Sequence, residues 1–337
     1  VADASTPPAG RIRVAVIGGG RNCEHAVSLA SAASVRAALD PAAYDVLALT
    51  IGPDGRWHRG DGSGRPLGVT PVASLAAAVA LLGDCDVVFP VVHGPHGEDG
   101  SLAALLDLAG LPYVGAGVRG GALAMDKWAT KLVAADLGLA VAPGRLLTAA
   151  SAPGLRPEQF PVVVKPVAAG SSHGVGLVRA AEELGPALAE ALALDSRVLV
   201  EDFVTGREID LAVLERPDGS LLVGPPLEIA VGEGGLFDTE QKYGGGARFL
   251  LPAALAEQER KELEEAALAL FTALGCRGVA RFDFFLTAGG PVLNEVNTMP
   301  GMTSESQVPK MFASVGLPYP ALLDQLVRGA LVGSDQR

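Results

Sequence analysis

Three cysteines in 337 residues, Cys23, Cys85 and Cys276, are too few and too scattered for a disulfide framework. No CxxC and no Cys/His spacing of a zinc site occurs, so the chain reads as a protein of a reduced, cytoplasmic setting. Aromatics make up only 5% of it. Positive charge is also in deficit: 26 Lys and Arg face 38 Asp and Glu, for a formal net charge of −12. That balance argues against a nucleic acid or an anionic membrane as partner. It leaves room for a local basic pocket holding a phosphorylated ligand. No apolar run reaches membrane-spanning length. The opening residues, VADASTPPAG, lack the basic-then-apolar order of a signal peptide and read as a disordered tail. There is no internal repeat and no low-complexity block.

Against these shortages, 49% of the residues are hydrophobic and glycine is abundant at 43 residues, which suits an α/β protein with closely packed helices. The length allows two or three domains. A β-branched run at 11–17 enters Gly18-Gly19-Gly20, then a helical pattern over 28–39 and a strand at 44–51. This is the opening of a βαβ unit. It is not a dinucleotide fingerprint, because Gly20 is followed by RNCEH. Residues 52–68 read as a loop, 72–82 as a helix and 86–92 as a buried strand ending in HGPHGEDGS. Ligands of open parallel sheets bind at such carboxyl ends. Glu24, at the mouth of the glycine turn, is either a ligand group or a carboxylate stabilised at a helix N-terminus. Residues 1–116 form one doubly wound domain on this reading.

Beyond it, the pattern predicts a strand at 111–114, one helix over 119–137, strands at 146–148, 161–165 and 177–179, a helix over 181–193, and strands at 197–200, 208–214 and 220–223. A glycine/serine loop, AAGSSHGVG, spans 168–176 between two of the strands. Such a loop presents several backbone N–H groups. It is a plain hairpin connection, or, with Lys165 and Lys127 nearby, a phosphate clamp. The irregular stretch 231–248 is long enough to be a lid. A helix covers 253–273.

Residues 281–306 read RFDFFLTAGGPVLNEVNTMPGMTSES. Two alternating runs around a Gly-Gly-Pro turn predict a hairpin. Asp283, Glu295 and Asn297 can then share one face, because residues two apart along a strand do so. Three oxygen donors suit a hard divalent cation that completes its shell with water and phosphate. Arg281 adds a cation beside them. The alternative is a hairpin whose charges face water. No nucleophile has an adjacent base of the Ser/His or Cys/His kind, so covalent catalysis is not indicated. Phosphoryl transfer needs positioning and charge stabilisation instead.

In their order, GGGRNCEHAVSLA, HGPHGEDGS, ALAMDKWATK, VVVKPVAAGSSHGVG, VLVEDFVTGREID, FDTEQKY, GVARFDFF and LNEVNTMPGMTSES resemble the D-alanine–D-alanine ligases of the ATP-grasp superfamily. The resemblance implies an α/β ATP-grasp fold. It has an N-terminal doubly wound domain (1–116), a small central α+β domain (117–204) and a C-terminal α+β domain (205–337). It further implies that Lys127 and Lys165 hold the phosphates of ATP under a loop containing Gly170, Ser172 and Gly174. Glu201, Phe203 and Val204 would border adenine, and Glu208 the ribose. Asp283, Glu295 and Asn297 would ligate two Mg²⁺, or Mn²⁺. Glu24 would meet the ammonium of the first D-alanine within a network with Ser171 and Tyr243, and His93 would line that pocket. Arg281 and the N–H of Gly301 would stabilise the oxyanion. Ser304, Ser306 and Gln307 would border the second substrate, with Lys242 closing over the phosphate. A homodimer is implied as well.

Lys242-Tyr243 favours an amine as the second substrate, since ester-forming relatives typically carry a His there. Gln307 stands where many relatives have a hydrophobic residue, and Glu305, His173 and Met299 depart from common residues too. These leave open a related ligase using D-serine or D-lactate, including a paralogue serving antibiotic production. A nucleotide-binding regulatory protein is the alternative outside enzymes.

Overall fold

The computed structural model describes residues 10–230 and 248–334. The chain opens with β1 (Ile12–Gly19), α1 (His25–Ala38), β2 (Tyr44–Ile51), β3 (Trp57–Arg59), α2 (Pro71–Leu82), β4 (Val87–Pro90) and α3 (Ser101–Leu108). Their sheet has the order β3-β2-β1-β4. β1 runs parallel to β2 and β4, while β3 lies antiparallel on the edge. The central strand is buried from Val14 onward, which explains its unbroken apolar run. It continues through Gly18, where a Cβ would stand 2.6 Å from that of Ala32. Glycine there lets α1 lie close on the sheet.

Two helices follow, α4 (Val118–Met125) and α5 (Lys127–Asp136), then β5 (Ala140–Val141), β6 (Gly144–Thr148), β7 (Val162–Pro166), β8 (Gly176–Val178), α6 (Ala181–Leu194) and β9 (Arg197–Asp202). The small antiparallel sheet β6-β9-β7-β8 packs on α6. The rest is β10 (Arg207–Glu215), β11 (Leu221–Val223), β12 (Leu227–Ala230), β13 (Arg248–Leu250), α7 (Glu257–Leu274), β14 (Val279–Thr287), β15 (Gly290–Asn297), α8 (Gln307–Ser314) and α9 (Tyr319–Ser334). The third sheet runs β13-β12-β10-β14-β15-β5, with β11 also on β10. One face packs on α7 with Ala124 and Ala134 of α4 and α5. The other joins β1, β4, α8 and α9 in a single core. That shared core fixes the first sheet against the third and so sets the walls of the site.

Three expectations need correction. The single helix over 119–137 is two, because Asp126 takes an extended conformation (ψ 96°) and accepts the Ala129 N–H at 2.9 Å. An aspartate that caps a new helix stops the preceding one, although the apolar pattern runs on. The loop 52–68 contains β3, too short to show alternation. Residues 111–114 make one parallel bridge, Tyr113 to Val88, and no full strand. β5, β12 and β13 were not expected. The opening tail lies outside the described residues. All three cysteines are free, and among the described residues no helix is long and apolar enough to cross a membrane.

Candidate active site

The C-terminal hairpin forms as expected. Asp283 of β14 pairs with Glu295 of β15, and Arg281 with Asn297. On the other side of β14, Asp210 of β10 pairs with Asp283. Three carboxylates thus lie in a row across neighbouring strands. Arg281 grips Asp283 with two nitrogens at 2.7 Å each and stands 3.6 Å from Asp210. Burial works against its charge, but Asp283, Asp210 and Glu295 outweigh it and raise the pKa. The Asn297 amide donates to Asp283 at 3.0 Å.

A register shift follows Asp283, because Phe284 pairs with Leu293 and leaves Asn294 as the extra residue. Such a bulge re-aims a side chain. Strict alternation would put Asn294 opposite to Glu295. Instead its Oδ1 accepts from Lys165 Nζ at 3.2 Å, and both residues border the same cavity.

That cavity, about 120 Å³, lies between β7 and β9 on one side and β10, β14 and β15 on the other. Lys127 and Lys165 enter it from α5 and β7. Lys127 pairs with Glu295 at 3.1 Å and donates to the Ala169 carbonyl at 2.8 Å. Burial opposes its charge, and Glu295 more than compensates, raising the pKa. Phe203, Val204 and Glu208 line the far end, and Ser172 the loop side. Glu201 lines it too, but its carboxylate is committed to Lys131 and Lys165, each at 2.7 Å. A carboxylate has about four acceptor positions, so these two pairings leave Glu201 able to accept from a further donor in the cavity it lines.

A second cavity of about 630 Å³ adjoins the first. Glu24, His93 and Ser171 line one side, and Gly301, Ser306 and Gln307 another. Arg281 and Glu295 border both cavities. Glu24 does not cap α1 through its side chain. It is buried, and its Oε1 accepts from Ser171 Oγ at 2.5 Å. That bond docks the glycine/serine loop onto the start of α1. Gly170 makes the approach possible, since a Cβ there would lie 2.3 Å from Glu24 Oε2. Among the described residues, Oε2 itself is buried with no hydrogen-bond partner. An acceptor in that state suits an ammonium.

His93 is buried, and its Nδ1 lies 2.7 Å from the Met299 carbonyl. A carbonyl only accepts, so Nδ1 carries the proton. Nε2 then accepts from Ser31 Oγ at 2.9 Å, and Ser31 accepts the Met302 N–H at 3.2 Å. Burial lowers the pKa of the ring, as a neutral tautomer requires. Glu98 accepts the N–H of Met299 at 3.0 Å and that of Gly94 at 2.7 Å. Burial and the charge of Glu24 push its pKa up to about 8. His93, Ser31 and Glu98 thus pin the turn that presents Gly301.

Ser306 and Thr303 hydroxyls lie 2.8 Å apart beside Gly301. Ser304 is exposed, with its N–H bonded to Ser34 Oγ, and does not line the cavity. A Cβ at Gly174 would meet Leu194 and Pro166, and Gly174 is not among the residues lining the first cavity. Lys242 and Tyr243 lie outside the described residues. Glu98, Lys131, Asn294 and Asp210 were not foreseen. Lys131 could have been, since it lies four residues after Lys127 on one helix face.

The N-terminal model of the D-ala D-ala ligase family matches residues 13–116, and its C-terminal model residues 137–328. A D-alanine–D-alanine ligase of Mycolicibacterium smegmatis is 42% identical, with 96% of each chain covered. The structure of the VanG D-Ala:D-Ser ligase from Enterococcus faecalis superposes with a TM-score of 0.80 at 32% identity, covering 95% of this chain and 99% of that one. The D-alanine–D-alanine ligase from Bacillus anthracis, solved in complex with ATP, gives 0.78 at 26% identity, covering 96% and 99%. With two adjoining cavities that share an arginine and a glutamate, and with both halves of the family model matched, this chain belongs to the D-alanine–D-alanine ligase family.

Proposed function

We propose that this protein joins two D-alanine molecules into D-alanyl-D-alanine at the expense of ATP, for cell-wall precursor synthesis. One observation carries the reading: the lysine-lined cavity and the cavity behind Glu24 meet at Arg281 and Glu295. A phosphate in the first can therefore reach a carboxylate in the second. The three regions 1–116, 117–204 and 205–337 each supply one wall.

Phe203, Val204 and Glu208 hold the nucleoside end of ATP. Lys127 and Lys165 take its phosphates, and Ser172 covers them. Oε2 of Glu24 receives the ammonium of the first D-alanine. A carboxylate oxygen of that D-alanine attacks the terminal phosphorus, and ADP leaves. The amine of the second D-alanine, placed by Ser306 and Gln307, attacks the resulting acyl phosphate. Arg281 and the Gly301 N–H stabilise the tetrahedral oxyanion. Its collapse forms the amide. Phosphate leaves with the oxygen that bridged it to the carbonyl, and the nitrogen sheds a proton.

Asp283, Glu295 and Asn297 would hold Mg²⁺, one or two ions, or Mn²⁺ in its place. Among the described residues no three His, Cys, Asp or Glu groups form a metal cluster by themselves. Two adjacent carboxylates and an amide oxygen nevertheless fit a hard cation that takes the rest of its shell from phosphate and water. Bound there, the cation would neutralise charge on the phosphates. Free cysteines accord with a cytoplasmic location, and the functional unit is a homodimer on this reading.

The test is phosphate release and product analysis with D-alanine, D-serine and D-lactate offered singly and in competition. D-Alanyl-D-alanine should dominate. A mixed D-alanyl-D-serine or ester product would replace this reading with a sister activity. ATP binding without phosphate release under any mixture would reject enzyme function.

A further inference from the structure

Lys131 takes no part in the mechanism above and does not border the nucleotide cavity. It sits one helical turn after Lys127 on α5, 5% exposed, with Nζ 2.7 Å from Glu201 Oε1. The other oxygen of that carboxylate lies 2.7 Å from Lys165 Nζ. Glu201 and Lys165 are 4% and 5% exposed. Two positive charges and one negative charge are thus sealed together, and the carboxylate is shared evenly.

The arithmetic of this triad bears on what Lys165 can do. A lysine paired with Glu201 alone would be neutralised by it. Turning toward a phosphate would then strand a buried carboxylate, which is costly. Lys131 changes that balance. Glu201 keeps a partner when Lys165 leaves, and the triad carries one net positive charge. Among the described residues the other bond of Lys165, to the neutral Asn294 oxygen at 3.2 Å, is easily exchanged. Burial works to raise the pKa of Glu201, yet the two lysines overcome it and leave it lowered. The carboxylate is therefore ionised and needs a permanent counter-charge.

We propose that Lys131 is a positioning residue of the nucleotide site, holding the charge of Glu201 so that Lys165 is free to transfer its ammonium to a phosphate. This rests on the reading that Lys165 meets the phosphates of ATP. The alternative is a purely structural staple between α5 and β9.

Calorimetry with adenosine, ADP and ATP in the presence of Mg²⁺ separates the two. The full chain would be compared with Lys131→Met, Lys131→Arg and the double variant Lys131→Met/Glu201→Gln. If the unmodified protein binds no ATP, the ligase reading fails by itself. Given that binding, Lys131→Met should weaken ATP and ADP by about ten- to a hundredfold, the scale of one charge-assisted hydrogen bond. Its adenosine affinity should fall far less, because Glu201 keeps Lys165 as a partner when no phosphate is present. Lys131→Arg and the double variant should recover most of the loss, because each restores the charge balance. An equal loss for adenosine and ATP would overturn the proposal, as would unchanged ATP binding in Lys131→Met. Should Lys131→Met fail to fold, the double variant decides, since it removes both partners of the buried pair. Weak ATP binding by that folded double variant would overturn the proposal as well.

Discussion

Replacing Arg281 by methionine keeps much of its volume and removes the one guanidinium in the row of Asp210, Asp283 and Glu295. Both oxygens of Asp283 lose a bond of 2.7 Å, and Asp210 loses a cation 3.6 Å away. Lys127 still faces Glu295 at 3.1 Å, so the loss falls on the two aspartates. Breaking a buried pair from one side costs about 3–5 kcal/mol. Arg281 keeps a partial opening to the cavities, so the lower end of that range applies, about 3 kcal/mol. In EDTA, the urea midpoint followed by circular dichroism should fall accordingly. Mg²⁺ should then stabilise the variant more than the unmodified protein, because Arg281 no longer competes for Asp283. At a hundredfold excess over Kd, a ligand stabilises the folded state by about 2.7 kcal/mol. The variant should also lose about 10²–10³ in kcat, as for one missing oxyanion donor. An unchanged midpoint in EDTA, or an equal lift by Mg²⁺ in both proteins, would refute the electrostatic account of this row.

Ser171→Ala removes the bond that ties the glycine/serine loop to Glu24. A hydrogen bond to a charged group contributes about 1.5–3 kcal/mol, so proteolytic nicking between residues 168 and 176 should rise about ten- to a hundredfold, with a higher KM for D-alanine; an unchanged nicking rate would count against loop docking through Glu24. Glu98 gives a pH dependence. Its pKa in the folded protein, about 8, lies above its ordinary value of 4.5. The stability it contributes is therefore complete below about pH 4.5 and is lost as pH rises through about 8. Relative to Glu98→Gln, the unmodified protein should lose stability steadily across that window in urea titrations. A pH-independent difference would show that the carboxyl is not held protonated.

Much of this was readable from the residues. The buried parallel strand before Gly18, the hairpin around Gly289-Gly290 and the facing of Asp283, Glu295 and Asn297 all follow from local periodicity. What escaped depends on contacts distant in sequence or on small breaks of period. Asn294 reaches the cavity only because the bulge overrides strand alternation. The helix break at Asp126 is set by one side-chain bond inside a pattern that otherwise continues. Glu98 read as part of a glycine-rich turn, because its partner Met299 is 201 residues away. The pairing of Glu201 with Lys131 and Lys165 is hidden because neither lysine is its neighbour in sequence. The resemblance implies Ser304 beside Ser306, yet Ser304 is exposed and only Ser306 lines the cavity.

The central claim is that a terminal phosphoryl group passes from ATP to the carboxylate of a bound D-alanine where the two cavities meet. D-Alanine labelled with ¹⁸O in its carboxylate tests it directly, with mass analysis of the phosphate released during dipeptide formation. One labelled oxygen should appear in each phosphate, because the oxygen that attacks phosphorus departs with it. Unlabelled phosphate alongside dipeptide would contradict the account.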